Sequence, residues 1–339
     1  MNKAQPGYIL ILTITLMSLM IVMVTQVFNR GSAYLAYTST IEKREQAKML
    51  AISGVRLTLA QLYVKKPEQK KGSKEKPPSE EGLFLKQMLP ILNRWQTISV
   101  NQGGLDGDMK IYFACEDGKL NVNSLYDFEK QQFKGSKQEQ EMFRKKFLEK
   151  VKSMVHTDGD LFTGLEKLLK KNRINDVTQL LESPEYVAFA NKVFVRPDKN
   201  AEDSEIMLTD LFTTWSESDG IEPWMFSQSM ANVLGLQGMA RATIESRKES
   251  LQAWLKLFKP TAKWQQDWNN SLAKVYGVDF KTLPQGVETM FATKFVPKVF
   301  SVVSYGIAGE IIQKVFAIVV RSSNSYGDVS YRIKKLYWI

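Results

Sequence analysis

Tyr8-Ile-Leu-Ile-Leu-Thr-Ile-Thr-Leu-Met-Ser-Leu-Met-Ile-Val-Met-Val-Thr-Gln-Val-Phe28 holds no charged residue, no glycine and no proline. At ~1.5 Å per residue this stretch makes a helix roughly 31 Å long, the thickness of a bilayer's hydrocarbon core. Its most polar residue, Gln26, lies near one end, where an amide reaches the interface. The rest of the chain reads as a water-facing body, so the run is either a removed signal or a permanent anchor. A secretory signal closes a shorter apolar core with a small-residue cleavage site. Here Val27-Phe28-Asn29-Arg30 follows the run, and the small residue, Gly7, precedes it. Lys3 stands before the run, and Arg30, Lys43, Arg44 and Lys48 stand after it. That distribution leans toward a cytoplasmic C-terminal side.

The helical pattern continues past Phe28. Tyr34, Tyr37 and Ile41, then Ala47, Leu50, Ala51, Gly54 and Leu57, recur at three- and four-residue spacing, with Glu42, Lys43, Arg44, Glu45 and Lys48 between them. The pattern predicts one helix over 8–64, membrane-embedded over 8–28 and amphipathic toward its end, where its stripe needs a partner surface. Residues 65–81 mix lysine, glutamate and proline, bury nothing and form a linker.

Farther on the period changes. Residues 83–95 suggest a short helix, and 97–101 and 109–115 read as strands joined by the turn-rich bridge 103–108, a hairpin. Another turn falls at Asp117-Gly118. Residues 125–297 carry helical patterns at 138–155, 160–171, 175–182, 184–194, 205–213, 223–235, 238–258 and 261–276; Pro223 suits a first helical position. Residues 298–339 return to β-branched and aromatic runs at 299–304, 311–320 and 329–339, with turns at 306–309 and 324–327. The expected fold is α+β. The two small β portions (82–124 and 298–339) pair into one antiparallel sheet on the amphipathic half of the first helix, and 125–297 is a large all-helical insertion between the strands.

Chemistry is sparse. In 339 residues there is one cysteine, Cys115, and one histidine, His156. No intrachain disulfide or cysteine-based zinc site can form, and a histidine-dependent triad is disfavoured. Cys115, after Ile-Tyr-Phe-Ala, reads as a small buried hydrophobe, and His156, before a turn, as solvated. No P-loop, GxSxG, HExxH or EF-hand pattern occurs. The carboxylate pairs Glu116/Asp117 and Glu217/Asp219 and the group Glu202/Asp203/Glu205 have no motif spacing and read as surface acids. They leave a carboxylate-only hydrolase open as a weak reading, and calcium as the one metal to entertain. The net charge of +10 is spread along the chain, which speaks for solubility more than for a nucleic-acid patch. Trp264 and Trp268, at i and i+4, read as core packing.

Met1-Asn-Lys-Ala-Gln-Pro-Gly7, short, polar and basic, followed by an aromatic residue and an unbroken apolar helix, resembles a type IV prepilin leader. The resemblance implies cleavage after Gly7 and N-methylation of the new N-terminus, Tyr8, where Phe or Met is commoner. The fifth residue after Gly7 is Leu12, where most type IV pilins and pseudopilins carry Glu. Asp117-Gly-Lys-Leu-Asn-Val-Asn-Ser-Leu125 is similar to the segment that, in the general secretion pathway protein K family, joins the first strands to the inserted helical domain. Asp117, Gly118, Asn121 and Asn123 carry that likeness. Leu208-Thr-Asp-Leu-Phe-Thr-Thr214 with Asp219-Gly-Ile-Glu-Pro-Trp224 resembles a second family segment, with Glu222-Pro-Trp in place of Asn-x-Asn.

The chain thus resembles that family, the large minor pseudopilin of type II secretion. The resemblance implies a type IV pilin-like fold and a non-enzymatic subunit at the tip of a pseudopilus that supports export of folded proteins. A tip subunit has no neighbour above it whose amino terminus a buried Glu would pair with, so Leu12 fits that place. The implied partners are other minor pseudopilins, the major pseudopilin, a prepilin peptidase/N-methyltransferase and the inner membrane, with no nucleic acid. The implied topology is single-pass, with the N-terminus cytoplasmic before processing and the C-terminal domain periplasmic, opposite to the lean of the flanking charges. No cofactor is required; family members can bind calcium, and no motif places its ligands here. A minor or tip pilin of a type IV pilus or competence system, and a signal-anchored periplasmic binding domain, are the alternatives.

Overall fold

The computed structural model describes residues 6–63, 80–102, 105–197, 205–218, 220–236, 266–269, 283, 290–323 and 329–339. The chain opens with α1 (Pro6–Leu62), a single helix of 57 residues. Pro6 occupies its first position, where a missing N–H costs nothing. The threonines of the apolar run turn inward: Thr15 Oγ1 donates to the Ile11 carbonyl and Thr25 Oγ1 to the Ile21 carbonyl, both at 2.8 Å. Their hydroxyls are therefore satisfied within the helix, and the outer surface stays apolar.

Residues 7–45 are exposed along their whole length, about 58 Å of bare helix. Burial begins abruptly after them. Ala47, Leu50, Ala51, Gly54, Val55, Thr58 and Leu62 form one inward stripe. Leu57, expected in the stripe, lies at its edge, half-buried. Tyr34, Tyr37 and Ile41 continue the same spacing and are exposed.

The surface under the stripe is a five-stranded antiparallel sheet of β1 (Trp95–Gln102), β2 (Leu105–Cys115), β7 (Val299–Ala308), β8 (Ile311–Ser323) and β9 (Val329–Trp338), in the order β1-β2-β7-β8-β9. The two β portions, far apart in sequence, merge where β2 pairs with β7, Met109 opposite Gly306 and Cys115 opposite Phe300. The sheet buries both faces with the period of two. Ile111, Phe113, Phe300, Val302 and Ala317 face α1. Tyr112, Val303, Tyr305, Phe316 and Ile318 face the other way, toward Phe194, Val195 and Trp215 of the insertion.

Several local expectations change. The bridge 103–108 shortens because Leu105 through Asp108 belong to β2, with Ser99 Oγ bonded to Asp108 at 2.7 Å across the hairpin. Gly306, expected in a turn, lies inside β7: an added Cβ would sit 2.0 Å from the Ala47 carbonyl oxygen, so this glycine sets how closely α1 approaches the sheet. The helix expected over 83–95 is α2 (Glu80–Met88), stopped ahead of Pro90, and Trp95 already starts β1.

Among its described residues the insertion is less helical than its periodicity suggests. The 138–155 pattern forms a continuous run: α3 (Lys137–Met142), a π-helical segment (Phe143–Leu148) and α4 (Glu149–Val155). Asp160 caps α5 (Leu161–Lys171), accepting from the Phe162 amide at 3.1 Å. The next two patterns are only 3-10 turns, Val177–Glu182 and Pro184–Phe189. The pattern at 205–213 gives α6 (Leu208–Leu211), because Phe212–Thr213 (β6) pairs with Leu120–Asn121 (β3) instead of coiling. Tyr126–Asp127 (β4) and Gln132–Phe133 (β5) form a further small ladder. The 223–235 pattern splits into a 3-10 turn at Pro223–Met225 and α7 (Gln228–Leu234), with Ser227 as the cap between them. The pattern at 238–258 lies outside the described residues, as does that at 261–276 except for helical 266–269. Trp268 packs in the core against Phe226 and Phe291, and Trp264 lies outside the described residues. Cys115 is buried; His156 is exposed, ending α4 in a left-handed conformation.

Candidate functional site

Two regions have an organisation that ordinary folding does not require. The first is the bare helix. Gly7, Tyr8 and Leu12 lie in its first turns, all exposed, Tyr8 at 72% and Leu12 at 49%. Across the Tyr8-to-Phe28 run apolar residues cover every side of the helix, whereas a helix meant for one sheet carries a single stripe. Such a surface fits lipid, or several helices at once, and does not fit water.

The second region is the junction where β2 leaves the sheet. Glu116, Asp117 and Lys119 are each only 2% exposed. This corrects the reading of Glu116/Asp117 as surface acids. They can be buried because each polar atom finds a partner. The Lys119 ammonium pairs with Glu116, donates to the Thr209 carbonyl at 2.7 Å and to Ser301 Oγ at 3.0 Å. The other Glu116 oxygen accepts from the Thr213 hydroxyl.

Asp117 joins the two ends of the insertion. One carboxylate oxygen accepts the amides of Lys298 (2.7 Å) and Val299 (3.0 Å), where β7 begins; the other accepts Ser216 Oγ at 2.7 Å. Burial nevertheless raises its pKa above the usual carboxylate value, against the lowering effect of these donors. At Gly118 a Cβ would sit 1.7 Å from the Met225 carbonyl oxygen, so no side chain fits there without moving backbone. Asn121 donates to the Ser216 carbonyl at 2.7 Å and accepts the Asn123 amide at 3.0 Å. Asn123 holds Ile174 by both backbone groups, donating to its carbonyl at 2.8 Å and accepting its amide at 3.0 Å. Glu222 closes the group. Its amide donates to the Asp117 carbonyl at 2.6 Å, and burial, with Asp117 nearby, pushes its carboxyl up to about 8.

The junction therefore brings together Asp117, Gly118, Asn121 and Asn123, and separates them from Gly7, Tyr8 and Leu12 at the far end of α1. It also joins the two segments singled out in the sequence: Leu120 pairs with Phe212 and Asn121 with Thr213. Ser216 and Ser301 were missed, and Lys119, Thr213 and Glu222, though inside the two segments singled out, were given no role; the Glu116/Lys119 spacing is one that exposed helices show as often. Every acid here is held by backbone or neighbouring side chains, an arrangement that fastens the insertion to the sheet. Among the described residues no group of three or more His, Cys, Asp or Glu is placed to hold a metal ion, so no calcium ligand is assigned.

No family model matches the chain, and no curated protein does. Among solved structures the chain is similar to one from the crystal structure of the GspK-GspI-GspJ complex of the enterotoxigenic Escherichia coli type 2 secretion system. The identity is 12%, the TM-score 0.47, and the match covers 89% of this chain and 99% of that one. A likeness this distant identifies neither family nor function.

Proposed function

We propose that the chain is a structural, non-enzymatic subunit of a pilin-like assembly: a minor pseudopilin at the tip of a type II secretion pseudopilus. The observation that carries this reading is the division of α1. Residues 46–62 are fastened to the sheet, and residues 7–45 are exposed, with an apolar surface on all sides over 8–28. A helix built this way is stable first in lipid and later among the helices of other subunits. When the subunit leaves the membrane, packing against those helices takes the place of the surrounding lipid.

In this reading residues 1–7 are a leader, a prepilin peptidase cuts after Gly7, and Tyr8 becomes the methylated N-terminus. The globular body is periplasmic. Leu12, lacking the usual carboxylate, avoids an unpaired buried charge where no subunit lies above. Asp117, Gly118, Asn121 and Asn123 keep the insertion in place on the pilin-like body. Crosslinking tests the proposal. Because Cys115 is buried, a Val24→Cys variant offers one accessible thiol on the bare helix. Coexpressed with the major pseudopilin and the other minor pseudopilins, it should crosslink to another subunit's apolar helix. A thiol that reacts only with membrane-soluble reagents, and never with another subunit, contradicts the reading.

A further inference from the structure

The inner face of the sheet is wider than the helix laid on it. α1 is centred on β7, where Gly306 and Ser304 meet it, and reaches β2 and β8 on either side. β9 lies beyond its cover. Residues directly opposite on paired strands share a face. Ile333, Leu336 and Trp338, opposite Val319, Ala317 and Val315, therefore lie on the side of α1, and Tyr331 packs against the same core. Ile333 and Leu336 are each 38% exposed and Trp338 49%. A row of large apolar side chains thus stands beside α1, open to solvent, where a water-facing edge strand ordinarily carries polar ones.

An irregularity of β9 builds this row. Ile318 pairs with Lys335 and Val319 with Ile333, so Lys334 is an extra residue, a β-bulge. In a regular strand Leu336 and Trp338 would face away from Tyr331 and Ile333. The bulge brings all four to the side of α1. It sends Lys334 and Lys335 to the other face, their Nζ atoms 5.4 and 5.8 Å from the Trp215 ring centre. α1 supplies a wall. Tyr63 meets Tyr331 edge-on, ring centres 5.2 Å apart, which marks the flank of α1 turned toward β9. Leu59, Ile52 and Ile41, at 4, 11 and 22 residues before Tyr63, fall on that flank. Leu59 and Ile52 are half-buried and Ile41 is exposed. The result is a trough with an apolar floor and inner wall. The two tyrosines close one end, and the other opens toward the bare part of α1.

We infer that this trough is a docking site for one amphipathic helix of a partner polypeptide, laid alongside α1. Its dimensions are those of a helix. Packed helices lie about 8–10 Å apart, and the two strand spacings from β7 to β9 make about 9–10 Å, so a helix beside α1 sits over β9. From Tyr331 to Trp338 the floor is roughly 20 Å long, nearly four helical turns. A strand is the poorer occupant, because the bulge and the charges of Lys334 and Lys335 oppose strand addition at the edge of β9. A second copy is poorer too: among its described residues the apolar faces of α1 beyond Gln46 and of α5 are buried in its own core. The inference rests on the sheet and does not depend on the assembly reading.

A reporter placed in the trough tests it. The full chain carrying Leu336→Cys, in nanodiscs of zwitterionic lipid, is labelled with a polarity-sensitive dye; Cys115 is buried and stays unlabelled. The probe is a peptide of leucine, glutamate and lysine, about 18 residues long, with its leucines at helical spacing. Its control has the same composition with the leucines alternating. The helical peptide should shift the dye emission to the blue saturably, and the alternating peptide should not. Ile333→Gln should weaken that binding about tenfold, the equivalent of one buried side chain. Lys334→Gln, on the other face, should leave it within about twofold. If the labelled chain melts earlier than the unlabelled one, the dye at Trp338→Cys must give the same result. The inference is overturned by no saturable shift, by an alternating peptide that binds as tightly, or by binding that Ile333→Gln leaves unchanged. An equal shift on adding unlabelled chain alone overturns it in favour of a second copy.

Discussion

Residues 8–28 of α1 and the junction Glu116 to Asn123 depart from the ordinary distribution of residues in opposite directions. The first is apolar and exposed; the second is charged and buried. The usual rule places hydrocarbon inside and charge outside, and an exception needs a partner. At the junction the partners are within the chain, and the contacts that satisfy Glu116, Asp117 and Lys119 come from near Thr209, Ser216 and Lys298. For the bare helix no partner exists among the described residues. The junction therefore completes a fold, and the proposal above gives the bare helix its partners outside the chain.

Four changes would break or sharpen that contrast. The largest effect falls on the junction. Asp117→Ala leaves the amides of Lys298 and Val299 and the Ser216 hydroxyl buried without their acceptor, and should cost about 4 kcal/mol in urea unfolding followed by tryptophan fluorescence. A change below about 1 kcal/mol would mean that water replaces the carboxylate and that the junction is not the fastening described.

The next is a pH effect at the same place. The Glu222 carboxyl is pushed up to about 8 when folded, against 4.5 unfolded, so the folded chain binds its proton more tightly. Stability from this group is full below about pH 4.5 and is lost as the pH rises through about 8. Asp117, also raised, contributes in the same direction. Glu222→Gln should flatten the decline in melting temperature between about pH 5 and 8, the window those two values set. An unchanged slope would place the titrating group elsewhere.

The third marks where the bare region ends. Gly306→Leu forces a side chain against the Ala47 backbone and should cost about 2–3 kcal/mol in the same unfolding assay. The smallest effect is on the bare helix itself. Met20→Ala should change folding stability by less than about 0.5 kcal/mol, because the Met20 side chain is exposed. It should still weaken the Val24→Cys crosslink to neighbouring subunits.

Much of the first region was legible in sequence. The uncharged run and the later stripe of Ala47, Leu50, Ala51 and Gly54 specify one helix with two environments, because periodicity reports directly on how many sides must be covered. The sheet was legible too, since two β portions too small to stand alone have to combine. The junction was legible only as a likeness around Asp117, Gly118, Asn121 and Asn123. Its burial was not, because a lysine and two acids read as solvated until their partners, distant in sequence, are in place. The insertion's helices were overextended for a related reason. Hydrophobic spacing cannot register that Phe212 and Thr213 pair with Leu120 and Asn121, or that Ser227 starts a new helix.

The claim that the bare half of α1 is a processed assembly helix is tested most directly by the intact mass of the chain coexpressed with a prepilin peptidase. The expected mass is that of a chain beginning at Tyr8 and carrying one N-methyl group. A mass that retains Met1 through Gly7 would contradict it.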